Sequence, residues 1–307
     1  MKTKDFLAQY LVLRKPRLAP STYASYQDIV YRILIPQFGE MELDEITPLH
    51  VELFLSALLS AGASAGTVRR VYSVFRSAMT KAARMGLIKA NPTGCDKIDP
   101  LPRCRKETEI FSPAEIQIIL SALQKEPLRW RAFIRTAIDS GARRGELVAL
   151  QWQDLESDCC HIRRAAYKLK GQPAATKPPK SGRARTLHLT AETIRLLEIL
   201  RRQQKKDCLR NGIVWNMQSY VFGTRGIMMH PTSPTKWWRE FLLRNQLQHR
   251  PLHALRHTSA TLLLANGVDI KTVSARLGHS SLEITEIYLH LIGDADQRAA
   301  EVMEHIL

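Results

Sequence analysis

Acidic side chains are in short supply in this chain. Twenty-nine Asp and Glu stand against 45 Lys and Arg, a net charge of +16 and a pI near 9.9. A deficit of that size favours a polyanionic partner, because each Lys or Arg set on a phosphate releases a condensed counterion. The excess is not one basic tail: residues 1–108 carry net +6 and residues 109–307 net +10. That suits a clamp gripping nucleic acid from two sides. Cysteine is sparse, and Cys95, Cys104, Cys159, Cys160 and Cys208 form no C-x-x-C pair. The adjacent Cys159 and Cys160 are poorly arranged to be two ligands of one tetrahedral metal. An odd cysteine count without a signal sequence points to reduced thiols and a cytoplasmic, nucleoid-associated protein. The N-terminus has a short apolar patch between charges, with no small-residue cleavage site after it. No apolar run approaches the roughly 20 residues of a membrane span, so no membrane partner is expected. No internal repeat is present. What remains is a chain of 307 residues, 45% hydrophobic, about twice a typical domain and so expected to form two.

The first hundred residues read as helices. Pro20-Ser21-Thr22 is a start signal for a helix over 21–38, with Tyr23, Tyr26, Val30 and Leu34 on one side. Thr47-Pro48 opens another, carrying Val51, Phe54, Leu55 and Leu58 to a break at Gly62. After Ser64-Ala65-Gly66-Thr67 a long helix turns Val68, Val71, Tyr72, Phe75, Met79 and Ala82 inward. Its other side shows Arg69, Arg70, Arg76 and Arg84, which is either a solvated face or a surface laid along DNA. Asn91-Pro92-Thr93-Gly94, Pro100, Pro102 and the charges through Lys106 mark a linker. The expected organisation is a helical domain over 1–94, a linker over 95–108 and a second domain over 109–307. Ser112-Pro113-Ala114-Glu115 is a strong helix start for that second domain. Helices are predicted over 113–124, 128–139 and 144–150, then short strands over 160–163, 165–169 and 186–189. A biased Pro/Lys/Ser/Gly loop spans 170–185, and helical periodicity resumes at Ala191. The fold class is therefore mainly α with a small antiparallel sheet.

Four segments concentrate cationic and protic side chains. In Ser140-Gly141-Ala142-Arg143-Arg144-Gly145-Glu146, Arg143 follows a glycine break and Glu146 shares its helix face. Alone this is a surface ion pair worth a few tenths of a kcal/mol, on the order of the exposed-pair median. Lys180-Ser181-Gly182-Arg183-Ala184-Arg185 is a basic turn, ordinarily solvated. His253-Ala254-Leu255-Arg256 sets a His and an Arg on one helix face, a weak pattern by itself. The fourth runs from Leu277-Gly278-His279 to Tyr288-Leu289-His290, where helical spacing puts Tyr288 over Ile284 and beneath Leu291, as for a packed core tyrosine. Together they have one obvious use. Attack of a tyrosine hydroxyl on a phosphodiester needs guanidiniums and a His N–H to neutralise the pentacoordinate phosphorus. It needs a base, because a phenol with a pKa of about 10 is a poor nucleophile at neutral pH. It also needs an acid for the departing sugar oxygen, which a lysine among cations can be. No metal or other cofactor is required, and no carboxylate cluster suited to a two-metal nuclease is evident.

In order, S-G-A-R-x-x-E, K-S-G-x-x-R-T, H-x-L-R-H-T-x-A-T-x-L-L-x-x-G and L-G-H-S-S-x-x-x-T-x-x-Y-x-H resemble the signature boxes of the tyrosine recombinases, the phage-integrase and Xer-type group. The resemblance covers the whole second half, and the helical first half is similar by pattern to the family's core-binding, SAM-like domain. It implies Tyr288 as nucleophile and Arg143 and Arg256 as phosphate clamp. Lys180 is then the acid for the 5′-hydroxyl, although Lys170 and Lys177 share its loop. His253 becomes general base or acid, His279 a donor to the scissile phosphate, and Glu146 a support. Ser140, Ala142 and Ala254 depart from the residues the family carries most often, and Ala254 removes a carboxylate many members have. The implied activity is site-specific recombination of double-stranded DNA through a 3′-phosphotyrosyl link, without ATP. The implied partners are a homotetramer on synapsed DNA and an accessory directionality factor, in the setting of a mobile element. Ala299, Val302, Met303, Ile306 and Leu307 stand at helical spacing, as either a helix packed on its own domain or, as the resemblance implies, one docked on a neighbouring protomer. Little room is expected for an N-terminal arm-site domain. Two other readings are a type IB topoisomerase-like relaxing enzyme and a non-catalytic DNA-binding regulator on the same fold. Arg69, Arg70 and Arg76 are the candidate DNA contacts.

Overall fold

The computed structural model describes residues 1–94, 96–101, 109–180, 182–279, 281–288 and 303–304. The chain forms two compact units, Met1–Lys106 and Glu107–Leu307. Most of the linker read from the sequence, Cys95 and residues 102–108, lies outside the described residues, as does the C-terminal tail apart from Met303 and Glu304.

The first unit is helical: α1 (Thr3–Arg14), α2 (Pro20–Ile29), α3 (Ile35–Phe38), α4 (Pro48–Ser60) and α5 (Ala65–Arg84). The helix α1 is legible in the sequence only as an apolar patch; it buries Phe6, Leu7, Tyr10 and Leu11, the spacing of one helix face. The helix expected over 21–38 is present, but Val30–Leu34 makes a π turn in which the Ile35 N–H reaches the Val30 carbonyl. Pro36 explains it. It has no N–H to give Arg32 and its ring crowds that carbonyl, so the backbone widens by one residue. The helix α4 opens on a capping box between Thr47 and His50, and α5 on the Ser64 hydroxyl, which accepts from the Thr67 N–H. The core closes where Phe38 stacks on Phe75, with centroids 4.8 Å apart, and meets Phe54 edge-on at 5.1 Å.

The second unit carries α6 (Pro113–Leu123), α7 (Leu128–Ser140), α8 (Arg144–Val148), α9 (Ala191–Arg210), α10 (Ser233–Arg244), α11 (Ala254–Ala265), α12 (Ile270–Leu277) and α13 (Glu283–Glu286). Four short strands lie between α8 and α9: β1 (Cys159–Ile162), β2 (Ala165–Tyr167), β3 (Ala175–Lys177) and β4 (Arg185–His188). They pair antiparallel as β1 with β4, Cys160 opposite Leu187, and as β2 with β3, Ala166 opposite Thr176. The mainly α class with small antiparallel sheets is the observed one. The strand β3 falls inside the stretch read as loop. Three residues, none fully buried, give no alternation to detect. The core of this unit gathers Phe133, Trp152, Phe222, Trp238 and Phe241. Trp152 and Trp215 both give their indole N–H to the buried Gln204 Oε1, at 2.6 and 3.0 Å. No helix among the described residues is long and apolar enough to cross a membrane.

Candidate active site

Two helices of the second unit end on a left-handed glycine, and both ends are used. Gly141 caps α7 at φ 60° and ψ 15°, and Gly278 caps α12 at φ 65° and ψ 51°. A side chain at Gly141 is disfavoured twice, by its positive φ and because a Cβ would come 2.8 Å from Leu277 Cδ2. Such ends leave carbonyls without intrahelical donors, at the negative end of the helix dipole. Two arginines fill them. Arg256 donates through Nη1 to the Gly141 carbonyl at 2.8 Å and through Nη2 to the Leu277 carbonyl at 2.7 Å. Arg143 donates to the Leu277 and Gly278 carbonyls at 3.4 and 3.2 Å. The glycines of the first and fourth boxes therefore hold the arginines of the first and third.

Glu146 supports this pair from beneath. Its carboxylate is 1% exposed and accepts from the Arg143 N–H at 2.9 Å and from Arg143 Nη1 at 3.1 Å. It also accepts from Arg185 Nη1 at 3.2 Å and Nη2 at 2.6 Å, while Arg185 Nε donates to the Arg276 carbonyl. Burial pushes the carboxyl up, but the bonds and charges of Arg185 and Arg143 outweigh it and leave Glu146 below the ordinary carboxylate range. Arg256 is 2% exposed. Burial, with the charge of Arg143 behind it, lowers it to about 9, so it remains a cation at neutral pH.

Three imidazoles and a phenol face this pair. His253 stands at the N-cap of α11 and not within its turns. Its outer edge is open to solvent. Enclosure of the ring, then the charges of His257, Arg256 and Arg143, lower it to about 4. His279 follows the Gly278 cap and shares a 2.8 Å hydrogen bond between Nδ1 and Thr285 Oγ1. Burial and then Arg256 and Arg143 bring it to about 4 as well. Both rings are therefore neutral near pH 7, each with an N–H to give and a lone pair to accept. Tyr288 is 1% exposed. Its own N–H closes a turn onto the Thr285 carbonyl. It thus follows α13, which ends at Glu286, instead of standing within a longer helix as the spacing predicts. The contact expected with Leu291 lies outside the described residues. The Tyr288 ring lies 6.3 Å from His279 and 5.5 Å from His257, and its hydroxyl is 2.7 Å from His257 Nδ1. Burial raises its pKa, opposed by Arg256 and Arg143.

The structure thus brings together Tyr288, Arg143, Arg256, His253, His279 and Glu146. It does not bring Lys180 among them: Lys180 is exposed between β3 and β4 and bonds none of these residues. Two members of the site were not singled out from the sequence. Arg185 is the arginine of the K-S-G-x-x-R-T box, and its signal was a basic residue entering a strand opposite Ile162. His257 is the second histidine of H-x-L-R-H-T, one turn after His253. Of the three candidate DNA contacts, Arg76 lines a groove of about 460 Å³ in the first unit with Arg14, Arg17, Lys81 and Arg84. Arg69 and Arg70 do not line it. The one group among the described residues with metal-ligand spacing is Glu156, Cys159 and His161, whose ligand atoms lie within 4.8 Å of one another. It shares no residue with the site.

A helical unit followed by a mixed unit that buries a tyrosine among two guanidiniums and three imidazoles defines a class, the tyrosine-dependent DNA transesterases. Residues 109–293 match the phage integrase family, and residues 3–59 match the phage integrase N-terminal SAM-like domain. The chain belongs to that family and is a site-specific tyrosine recombinase. It is 25% identical to the ICEBs1 integrase of Bacillus subtilis (strain 168), over 94% of this chain and 78% of that one. To a XerC-like tyrosine recombinase of Caldanaerobacter subterraneus subsp. tengcongensis it is 28% identical, with the same coverage. Its fold is that of the Tn1549 transposon integrase in complex with circular intermediate DNA, with a TM-score of 0.82, 17% identity and full coverage of both chains. It is also that of a lambda integrase tetramer bound to a Holliday junction, with a TM-score of 0.70, 16% identity and 92% and 78% of the two chains covered.

Proposed function

We propose that this chain cuts and rejoins double-stranded DNA at specific sites by attack of Tyr288 on a backbone phosphate, leaving a 3′-phosphotyrosyl link and a free 5′-hydroxyl. The observation that carries this reading is the convergence of Arg143 and Arg256, anchored on the same Leu277 carbonyl, with the buried hydroxyl of Tyr288. Anchored guanidiniums are preorganised donors: they meet charge developing on the phosphorane without reorienting at the moment of reaction. His279 and His253, both neutral, add N–H donors to the non-bridging oxygens. Lys180, exposed at the β3–β4 turn, delivers the proton to the leaving 5′-oxygen once DNA is bound. The energy of the phosphodiester is conserved in the tyrosyl ester, so rejoining requires no ATP.

The first unit is the core-binding domain in this reading. Its groove between α1 and α5 presents five cations, with no acidic residue among the described lining residues, and takes the DNA backbone. The active assembly is a homotetramer on two synapsed sites, by analogy with the lambda integrase tetramer on a Holliday junction. An accessory factor that sets direction is expected from the family resemblance alone. The test is a nicked suicide substrate carrying the element's own attachment site. Wild type is expected to accumulate a covalent protein–DNA adduct and Tyr288→Phe none, with DNA binding retained. Binding by wild type without any adduct would establish a non-catalytic regulator instead. Relaxation of site-free supercoiled DNA without exchange products would establish a topoisomerase.

A further inference from the structure

The proposed function leaves open what takes the proton from Tyr288. Among the described residues, one ring nitrogen is in hydrogen-bond contact with the reacting oxygen, His257 Nδ1 at 2.7 Å. The other two histidines of the site are placed differently. His279 has its Nδ1 engaged with Thr285. His253 packs edge-on against His257, with ring centroids 4.6 Å apart, and has its outer edge open to solvent. We propose that His257 is the general base of the cleavage step, accepting the phenol proton of Tyr288 as its oxygen attacks phosphorus.

This rests on the recombinase reading above and gives to His257 the role of base that the resemblance, as base or acid, attached to His253, because it is the His257 ring nitrogen that meets the Tyr288 hydroxyl. The charge state fits. Burial and the neighbouring Arg256 hold His257 below the usual histidine range, which favours the neutral ring, and in the tautomer protonated on Nε2 that ring offers Nδ1 a lone pair toward the hydroxyl. Tyr288 is pushed the other way by burial, so its hydroxyl arrives protonated and needs a base. In the step, the Oη–H bond breaks and the proton moves to Nδ1 while the Oη–P bond forms. The P–O5′ bond breaks, and the 5′-oxygen leaves with its electron pair and takes a proton from Lys180. Rejoining runs the same path backwards: the 5′-hydroxyl attacks, its proton returns to Lys180, and His257 gives its proton back to Tyr288. A purely structural role for the contact would anchor the ring without any proton moving, and the two roles make different predictions.

His257→Asn discriminates them, because the amide oxygen of Asn sits where Nδ1 does and keeps the hydrogen bond but cannot take a proton. The expected result on the nicked suicide substrate is adduct formation slowed by roughly 10²- to 10⁴-fold, with unchanged DNA binding and thermal unfolding. The defect should persist on a substrate whose 5′-bridging oxygen is sulfur, which leaves without a proton and so relieves only the acid. It should narrow when residue 288 carries 3,5-difluorotyrosine, whose more acidic phenol needs less help. Adduct formation by His257→Asn at the wild-type rate, or full recovery on the sulfur substrate, overturns the assignment. Absence of adduct from wild type on both substrates overturns the recombinase reading beneath it.

Discussion

Glu146 is a buried carboxylate whose charge is balanced by two guanidiniums, and that makes it a positioning residue of high stakes. Removing one partner of such a group leaves the others charged and buried, at a cost of about 3–5 kcal/mol. Glu146→Ala should therefore lower stability by that order in chemical denaturation and abolish adduct formation, because Arg143 and Arg185 lose their shared acceptor. Protons act on the same site. His253 and His279 are brought to about 4 from an ordinary 6.5. For a base with a depressed folded pKa, the unfolded chain binds the proton first. Stability is thus full above about 6.5 and falls as pH drops from there towards about 4, where the folded state protonates too. Glu146, depressed in the carboxylate sense, extends the loss to lower pH still. Thermal unfolding followed from about pH 7 down to about pH 4 should show this decline, and a His253→Gln, His279→Gln double variant should make it shallower, with His257 and Glu146 carrying what remains.

At the scale of elements, the site depends on how α7 and α12 end. Their terminal carbonyls are the acceptors that fix Arg256 and Arg143, and both ends need the left-handed backbone that glycine adopts without cost. Gly141→Ala would place a methyl against Leu277 and strain the cap, at a cost of about 1 kcal/mol or more. The expected outcome is a lower Tm together with a loss of adduct formation larger than the stability change explains, since Arg256 moves with its acceptor. The short strands matter for the same reason: β4 begins at Arg185 and delivers it to Glu146. Cys159, Cys160 and Cys208 are buried, and burial raises the Cys160 thiol to about 12. Alkylation mapped on the folded protein should spare all three and reach them only after denaturation.

Each unit has its own hydrophobic core, so each is expected to unfold as its own cooperative block. Phe75→Ala should cost the first unit about 3–5 kcal/mol and Phe133→Ala the second a similar amount, each shifting one of two calorimetric transitions. The charge belongs to the whole molecule. With net +16, DNA affinity should fall steeply with salt, and removing one phosphate-binding side chain should shallow the slope by about one. Arg14→Gln and Arg76→Gln in the groove of the first unit are expected to weaken binding uniformly across DNA sequences.

Much of this protein could be read before any coordinates. The caps at Thr47, Ser64 and Ser112, the apolar period of α5 and the four boxes are local patterns, set by neighbours three or four residues apart, and a chain carries those in its sequence. It also carried the expectation that Tyr288, Arg143, Arg256, His253 and His279 share one site, because those residue types together have few other uses, and the fold brings them together. What only the tertiary structure decided lies between residues far apart in the chain. Arg185 meets Glu146 across 39 positions, Arg256 meets the Gly141 carbonyl across 115, and His257 meets the Tyr288 hydroxyl across 31. Hydrogen bonds of that reach have no periodicity to betray them. They form because two glycine-capped helices and a buried turn place backbone acceptors and one phenol around the same small volume of packed interior.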